Sequence, residues 1–201
     1  MIHIALTGNI AAGKSSVARL FESWGATIID SDQLVREVQA PGSAVLDDIT
    51  RAFGPGILQS DGRLDRGALR RHILADDQAR RRLESIVHPA VQRERERRLE
   101  EARRRGDRVV VSDIPLLFEV LDPAAFDAVV LVDAPPEVRV ARLVTERGLQ
   151  EEEARRLVAS QMPSAGKRRW PGRLLIIDND ADPATLAARA REVWARLTAH
   201  P

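Results

Sequence analysis

The residues whose types and spacing point most clearly to chemistry lie near the amino terminus. Residues 8–15 read Gly-Asn-Ile-Ala-Ala-Gly-Lys-Ser, directly after the apolar run Ile2–Thr7. This is the phosphate-loop pattern Gly-x-x-x-x-Gly-Lys-Ser, placed where a strand should pass into a helix. Its glycines allow a tight turn whose backbone N–H groups face an anion, next to the positive end of a helix dipole. The pattern predicts that Lys14 contacts the β- and γ-phosphates of a nucleotide and that the Ser15 hydroxyl coordinates Mg²⁺.

The composition strengthens this interpretation of Lys14. The chain has 31 basic residues, of which only Lys14 and Lys167 are lysines. Because arginine is used everywhere else, a lysine here indicates a site that needs a compact ammonium rather than a planar guanidinium. The alternative is a glycine-bounded turn with an ordinary lysine. The strand predicted on one side of the loop and the amphipathic helix predicted on the other disfavour it.

Length and composition exclude several classes of function. The chain has 201 residues, 44% hydrophobic and 30% charged, which fits one globular domain with insertions. A net charge of +1 gives no argument for a nucleic-acid or membrane partner. The absence of cysteine excludes disulfides, thiolate catalysis and cysteine-based zinc sites. No membrane-length apolar stretch and no secretory leader are visible, so we expect a cytoplasmic location.

Apolar runs alternate with helical patterns along the chain, which predicts an α/β fold: a five-stranded parallel sheet with helices on both faces. The predicted strands are Ile2–Thr7, Ala26–Asp30, Arg108–Ser112, Ala128–Val132 and Leu174–Ile177. The predicted helices are 14–24, 31–38, 43–53, 66–74, 78–105, 136–147, 150–160 and 183–198. We interpret about 1–38, 106–147 and 171–201 as one P-loop core, interrupted by a helical insertion at about 39–105 and a helical excursion at about 148–170.

The segment 93–105 is rich in arginine and invites a nucleic-acid interpretation. Its acids are interleaved with the arginines at helical spacing, however, which favours a solvent-facing helix with internal ion pairs. The predicted pairs are Glu94–Arg98, Glu100–Arg104 and Glu101–Arg105. An apolar seam through Leu83, Val87, Val91, Leu99 and Ala102 supports the same conclusion.

Acidic residues follow two predicted strands, at the sheet edge that the phosphate loop shares. After the second strand, a carboxylate of Asp30 or Asp32 could accept the proton of an attacking hydroxyl. Either acid could instead cap the next helix, and both roles can coexist; we favour Asp32 as the base. Asp113 follows the third strand, where this architecture has its second magnesium element, acting through water. A plain loop aspartate is the alternative for Asp113.

Three arginines, Arg139, Arg142 and Arg147, lie between the fourth predicted strand and the second helical excursion. Arginines at such a hinge can move over a triphosphate and stabilise its charge, although surface positions are the alternative in an arginine-rich chain. Arg147 is the best placed, followed by Arg142. His88 lies within a long predicted helix and either packs in the core or contacts a substrate.

Taken together, these motifs resemble the dephospho-coenzyme A kinase family over nearly the whole chain, in order. The most family-specific segments are His88-Pro89 and Asp113-Ile-Pro-Leu-Leu-Phe-Glu119. The other matching motifs are Leu6-Thr7-Gly8, Gly13-Lys14-Ser15, Ile28-Ile29-Asp30-Ser31-Asp32, Pro41-Gly42, Phe53-Gly54, Asp61-Gly62-x-Leu64-Asp65-Arg66, Gln161-Met162-Pro163 and Ile177-Asp178-Asn179.

The resemblance implies ATP-dependent phosphorylation of the ribose 3′-hydroxyl of dephospho-coenzyme A, with Mg²⁺. It implies that about 39–105 holds the acceptor and that about 148–170 is a lid. By the same resemblance Asp32 is the base, Lys14 handles phosphate, Arg147 is the lid arginine, and Asn179 lies where the family contacts adenine. The residues expected to bind nucleotide are Gly8, Ala11, Ala12, Gly13, Lys14, Ser15, Ser16, Arg142 and Asn179, with Ser15 and Asp113 for the metal. We expect a monomer or weak homo-oligomer with a small-molecule substrate.

Two segments depart from the family pattern. The middle of the loop reads Asn9-Ile10-Ala11-Ala12, where the family often has Gly and Ser; because backbone amides do the binding, we expect no essential consequence. The segment 166–173 lacks the Ala-Asp pair that usually precedes the last strand, so no role is carried over to Lys167.

Other functions share parts of this pattern. A nucleoside or nucleotide kinase of the same fold is the main alternative, and the Pro115–Glu119 segment, uncommon in such enzymes, argues against it. A GTPase-like switch would carry Asn-Lys-x-Asp, which the chain lacks because neither lysine follows an asparagine. A non-catalytic nucleotide-dependent or coenzyme A-binding module is disfavoured by Asp32.

Overall fold

The computed structural model describes residues 1–199, except for the side chain of Ala75. They form two compact units. The first comprises Met1–Ile29 together with the chain from Ala102 onward, and the second is Asp30–Glu101. No helix within residues 1–199 combines the length and the apolar character needed to cross a membrane.

The first unit is built on a five-stranded parallel sheet with the order β2-β3-β1-β4-β5, which confirms the predicted α/β class. The strands are β1 (Ile2–Thr7), β2 (Thr27–Asp30), β3 (Val109–Asp113), β4 (Ala128–Asp133) and β5 (Leu174–Asp178). β3 and β4 are buried along their whole length, as their continuous apolar sequences predict for strands covered on both faces. The register pairs Leu6 of β1 with Asp113 of β3, which brings that carboxylate to the edge where the phosphate loop begins.

The helices follow the predicted ones to within one residue at each end, with two additions. The helices are α1 (Lys14–Ser23), α2 (Ser31–Val38), α3 (Ala44–Phe53), α4 (Arg66–Ala75), α5 (Asp77–Arg105), α6 (Leu117–Val120), α7 (Pro136–Arg147), α8 (Glu151–Ala159), α9 (Ser164–Lys167) and α10 (Pro183–Thr198). We did not predict α6 and α9, because one turn of helix is too short to show a periodic pattern. Short 3₁₀ turns at Pro55–Ile57 and Pro123–Ala125 were missed for the same reason.

Aromatic packing holds α1 and α10 together on one face of the sheet. The ring centroids of Phe21 and Trp194 lie 5.3 Å apart, and those of Trp24 and Trp194 lie 6.0 Å apart. Phe21 is fully buried against sheet residues such as Ile4 and Val130. Because such aromatic pairs add about 0.5–1.5 kcal/mol each to the burial of their area, this cluster firmly anchors the helix that begins at Lys14.

The second unit has a core of its own, formed by α3, α4, the 3₁₀ turn and α5. Its buried residues are Leu46, Ile49, Ile57, Leu64, Leu69 and Val87. On α5 the predicted pair Glu94–Arg98 is present at 3.1 Å, whereas Glu101 pairs with Arg97. Hydrogen bonds from Arg97, together with those from Arg98, lower the pKa of Glu94 to about 2. The charged face of α5 therefore carries ion pairs within the helix, but of the three predicted pairs the structure shows Glu94–Arg98. That residues 39–105 hold an acceptor stays a prediction.

Gly8 is required by the close approach of β1 to β4. A Cβ atom at residue 8 would lie 2.5 Å from the backbone carbonyl oxygen of Val132, which is too close for any real Cβ contact. The first glycine of the phosphate loop is therefore needed for the packing of the sheet as well as for the turn.

Gly8→Ala is expected to lower the free energy of unfolding by about 1–3 kcal/mol, because the methyl group forces apart two strands at a backbone contact. Chemical denaturation measures the change. Gly56→Ala is the matched control, since its Cβ would meet nothing within 4 Å. Equal stability of the two variants would contradict this account of Gly8.

Candidate active site

The phosphate loop joins β1 to α1 and leaves backbone N–H groups available. Gly13 is the N-cap residue of α1 and adopts the left-handed region at φ 96°. As a glycine it has no side chain that could occupy the first amides of the helix. Within residues 1–199, the amides of Ala11 and Gly13 donate to no other residue, whereas the amide of Ala12 donates to the Asn9 carbonyl at 3.0 Å. Free amides beside a helix N-terminus form an anion-binding site.

Ala11 has an unfavourable backbone conformation that could not be predicted from the sequence. Its φ is +57°, and no other non-glycine residue in the described chain has a positive φ. The left-handed region costs an L-residue about 1–2 kcal/mol. From the sequence, we expected the alanines of the loop to have no essential consequence. The structure shows that Ala11 has a consequence for the backbone, which is strained at this residue. Ala11 packs against the buried cluster that contains Val140 and Leu143, which offsets part of the cost.

Lys14 forms an ion pair with Asp113, the last residue of β3. The two side chains are only 15% and 8% exposed, so both charges are largely removed from water. Pairing is what makes such burial tolerable, and losing one partner would leave the other uncompensated. The structure therefore brings together two residues that the sequence predicts for one site.

Asn179 braces the phosphate loop from the end of β5. Its Nδ2 donates to the Ala12 carbonyl oxygen at 2.9 Å, and its Oδ1 accepts from Arg142 at 3.1 Å. Arg142 also donates to the Ala11 carbonyl oxygen at 3.2 Å. The predicted nucleotide-binding residues Arg142 and Asn179 are thus joined to each other and to the loop. Direct contact of Asn179 with adenine stays a prediction.

The same brace explains the second glycine of the loop. A Cβ on Gly13 would overlap the Asn179 Nδ2 atom, so any larger residue would displace either the loop or the asparagine. Gly13 is required by steric contact as well as by its positive φ.

Sequence reasoning did not foresee that residues 161–168, named here the connector, would hold the loop. The Gln161 Oε1 atom accepts from the Ile10 amide at 2.7 Å. Asn9 Nδ2 donates to the Met162 carbonyl oxygen at 3.1 Å and lies 3.3 Å from the Ser164 Oγ atom. The family motif Gln161-Met162-Pro163 marked this place in the chain without indicating its contacts, because the partners lie about 150 residues away.

The connector is also fixed at the ends of β4 and β5. Ser164 donates to Asp133 at 2.6 Å, and Arg168 pairs with both Asp133 and Asp178. Burial acts to lower the pKa of Arg168, but its hydrogen bonds to the two carboxylates outweigh burial and raise it. Arg168 therefore stays charged and joins two neighbouring strand ends.

Arg139 does not occupy the position of a free hinge arginine. It is 4% exposed, and its Nε donates to the Ala134 carbonyl oxygen at 3.1 Å. Burial lowers its pKa, against the nearby charge of Asp133. It lines a cavity of about 620 Å³ that includes Arg155 and Pro163 and none of the predicted site residues.

The remaining predicted residues lie as follows. Arg147 is exposed in the last turn of α7, and Ser15 is exposed in the first turn of α1. Neither side chain has a polar partner within residues 1–199. Ser16 is half-buried, and its amide donates to the Gly13 carbonyl oxygen at 3.0 Å. His88 is exposed on α5, so the interpretation of it as a core histidine is wrong.

In the second unit, the two candidate acids have separate roles. The Asp30 carboxylate caps α2 by accepting from the amides of Asp32 and Gln33 at 2.8 and 3.2 Å. Asp32 is exposed, and no described residue donates to its carboxylate. The capping role therefore falls to Asp30 and leaves the Asp32 carboxylate available.

Comparison with known proteins decides the family. The family described as dephospho-CoA kinase matches residues 2–185 of the chain. The chain belongs to the dephospho-CoA kinase family. A dephospho-CoA kinase of Corynebacterium diphtheriae is 42% identical over 194 residues, covering 96% of each chain. One of Geobacter sulfurreducens is 44% identical over 193 residues, covering 96% of this chain and 97% of its own.

Solved structures agree on the fold of this dephospho-CoA kinase family member. A Thermus thermophilus protein superposes with a TM-score of 0.83 at 36% identity, with 98% of each chain covered. A dephospho-CoA kinase from Campylobacter jejuni superposes with a TM-score of 0.73 at 21% identity, covering 98% of this chain and 97% of its own. At that identity the second likeness concerns the fold alone.

Asn179→Ala is expected to weaken the binding of a non-hydrolysable ATP analogue by up to about 30-fold, because it removes bonds to Ala12 and Arg142 worth about 1 kcal/mol each. Calorimetric titration measures the dissociation constant. Asp180→Asn is the control, since Asp180 is exposed and forms a surface pair with Arg189. Unchanged affinity in the Asn179 variant would show that the brace does not shape the loop.

Proposed function

We propose that this chain transfers the γ-phosphate of ATP to the ribose 3′-hydroxyl of dephospho-CoA, giving CoA and ADP. The observation that carries the proposal is the phosphate loop with free amides at Ala11 and Gly13, beside the buried Lys14–Asp113 pair. This arrangement binds a polyphosphate and supplies a cation to it. Family membership over residues 2–185 supports the choice of acceptor.

Lys14 acts on the phosphates as a compact positive charge. It is paired with Asp113 in the structure, and a nucleotide in the loop would place its β- and γ-phosphates within reach of the same ammonium. As charge develops on the transferred group, a preorganised cation in a largely dehydrated site stabilises it. Arg142, held between Ala11 and Asn179, supports the loop on the other side.

Asp32 is the proposed general base. It would accept the proton of the acceptor hydroxyl as that oxygen attacks the γ-phosphate. Its exposed carboxylate and the assignment of helix capping to Asp30 support this role. The acceptor is proposed to bind within about 39–105, and Arg147 is proposed to stabilise phosphate charge from a lid at about 148–170.

Mg²⁺ is the proposed metal, and the residues present fit it. It prefers oxygen ligands and is commonly held by one or two protein oxygens together with phosphates. The exposed Ser15 hydroxyl is one such oxygen and the Asp113 carboxylate, acting through water, is the other. When bound, the ion neutralises charge on the β- and γ-phosphates. We further propose that the enzyme is cytoplasmic and acts as a monomer or weak homo-oligomer, without nucleic-acid or membrane partners.

An assay of ADP release with several acceptors tests the proposed substrate. Dephospho-CoA, adenosine and AMP are compared at equal concentration in a coupled assay with ATP and Mg²⁺. We expect turnover with dephospho-CoA to exceed that with either of the others. A preference for adenosine or AMP would instead identify a nucleoside or nucleotide kinase of the same fold.

Asp32→Asn is expected to lower kcat by about 10²–10⁴, the usual contribution of a general base, with ATP affinity near normal. The coupled assay gives kcat, and titration with an ATP analogue gives the affinity. Asp30→Asn is the matched control, because an asparagine side chain still caps α2. Wild-type turnover in the Asp32 variant would remove the assignment, and a large loss confined to the Asp30 variant would move the role there.

A further inference from the structure

Lys167 is a buried cation to which neither the motifs nor the proposed mechanism assigns a role. Its side chain is 0% exposed, and its Nζ donates to the Glu119 Oε1 atom at 3.0 Å. The ammonium also lies 5.9 Å from the centre of the Phe118 ring. A fully buried lysine is uncommon, and it is tolerated only when its charge is paired.

The position of Lys167 in the connector relates it to the reacting groups. The connector contacts the phosphate loop through Gln161 and Ser164, and it contacts the ends of β4 and β5 through Ser164 and Arg168. Lys167 extends the same set of contacts to the segment that follows β3. The connector therefore touches residues that follow or end four neighbouring strands of the sheet, in the order β3-β1-β4-β5.

The segment 114–120 is held at both ends. At its start, the Ile114 amide donates to the Leu6 carbonyl oxygen at 2.9 Å, and Thr7 donates to the Pro115 carbonyl oxygen at 3.2 Å. At its far end Glu119 accepts from Lys167. The residue immediately before this segment is Asp113, the partner of Lys14. A displacement of the segment that extends to its start would therefore move the carboxylate beside the phosphate-binding lysine.

We propose that Lys167 is a positioning residue for phosphoryl transfer. Through Glu119 it holds segment 114–120 against the connector, and it thereby fixes Asp113 relative to Lys14. The phosphate loop itself is held by contacts of Asn9, Ile10 and Asn179 that do not involve the Lys167 side chain. Loss of the ammonium should therefore reduce turnover while nucleotide affinity is kept. The kinetic part of this inference rests on the proposed function.

The geometry also explains why this residue is lysine in a chain that otherwise uses arginine. A buried site that pairs with one carboxylate oxygen accommodates a compact ammonium, whereas a guanidinium needs more room and more hydrogen-bond acceptors. Lys167→Arg is therefore expected not to restore wild-type turnover, although it preserves the charge.

The test compares Lys167→Met with Arg169→Met. Methionine keeps an unbranched stem beside Phe118 and removes the ammonium, and Glu119, whose side chain is 26% exposed, can still reach water. Arg169 is an exposed neighbour whose replacement removes the same charge. Three quantities are measured: amide hydrogen exchange over residues 114–121, the dissociation constant for a non-hydrolysable ATP analogue, and kcat with dephospho-CoA.

For Lys167→Met we expect exchange over 114–121 to be about tenfold faster and kcat to fall about tenfold, the scale of one charge-assisted hydrogen bond. The dissociation constant should stay within about twofold of wild type, and Arg169→Met should change none of the three. Because the effect runs through Glu119, the double variant Lys167→Met/Glu119→Gln should lose no more activity than Lys167→Met alone.

Several results would overturn the inference. Unchanged exchange over 114–121, or faster exchange with wild-type kcat, would each contradict it. So would an equal effect of Arg169→Met. A loss of kcat in the double variant equal to the product of the losses in Lys167→Met and Glu119→Gln would show that the two residues act independently. If the wild type releases no ADP with dephospho-CoA, the proposed function fails on its own. The exchange measurement then decides the role of Lys167, because faster exchange confined to 114–121 supports it and unchanged exchange refutes it.

Discussion

The buried ion pair between Lys14 and Asp113 is the interaction on which the rest of the first unit depends. Two charges that are 15% and 8% exposed must be paired, since the desolvation of either alone would cost several kcal/mol. The pair requires β1 and β3 to be adjacent and in the register that sets Leu6 opposite Asp113. It also requires α1 to begin at residue 14, which the left-handed Gly13 permits.

Tertiary contacts around the phosphate loop hold that pair in place, because the backbone conformation of the loop is not one that its residues favour on their own. Ala11 adopts an unfavourable conformation, and Gly8 and Gly13 leave no space for a side chain. The compensation comes from buried polar contacts made by Asn179, Arg142 and the connector. Strain within the loop and buried polar contacts that hold it are features of a preorganised anion site. A loop shaped before the ligand arrives binds phosphate without losing further conformational entropy.

The sequence was sufficient to predict the architecture and the place of the phosphate loop between β1 and α1. The sheet was predictable because β3, with three consecutive valines, and β4 are continuous apolar runs buried on both faces. The phosphate loop was predictable because the residue types and spacing of Gly8–Ser15 indicate phosphate binding. α6 and α9 were not, because they are too short for periodicity. The contacts of Gln161 with Ile10 join residues 151 positions apart, and no local pattern encodes such a pair. The burial of Arg139 was missed because composition alone favours exposed arginines.

The central claim is that Lys14 supplies the cation for the nucleotide phosphates, and the presence of only two lysines allows it to be observed directly. In protein labelled with ¹⁵N at the lysine Nζ atoms, Lys14 and Lys167 are the only side-chain ammonium signals. Titration with a non-hydrolysable ATP analogue and Mg²⁺ should shift the Lys14 signal while the Lys167 signal, buried against Glu119, stays in place. Saturation with the analogue without any shift of the Lys14 signal would contradict the account.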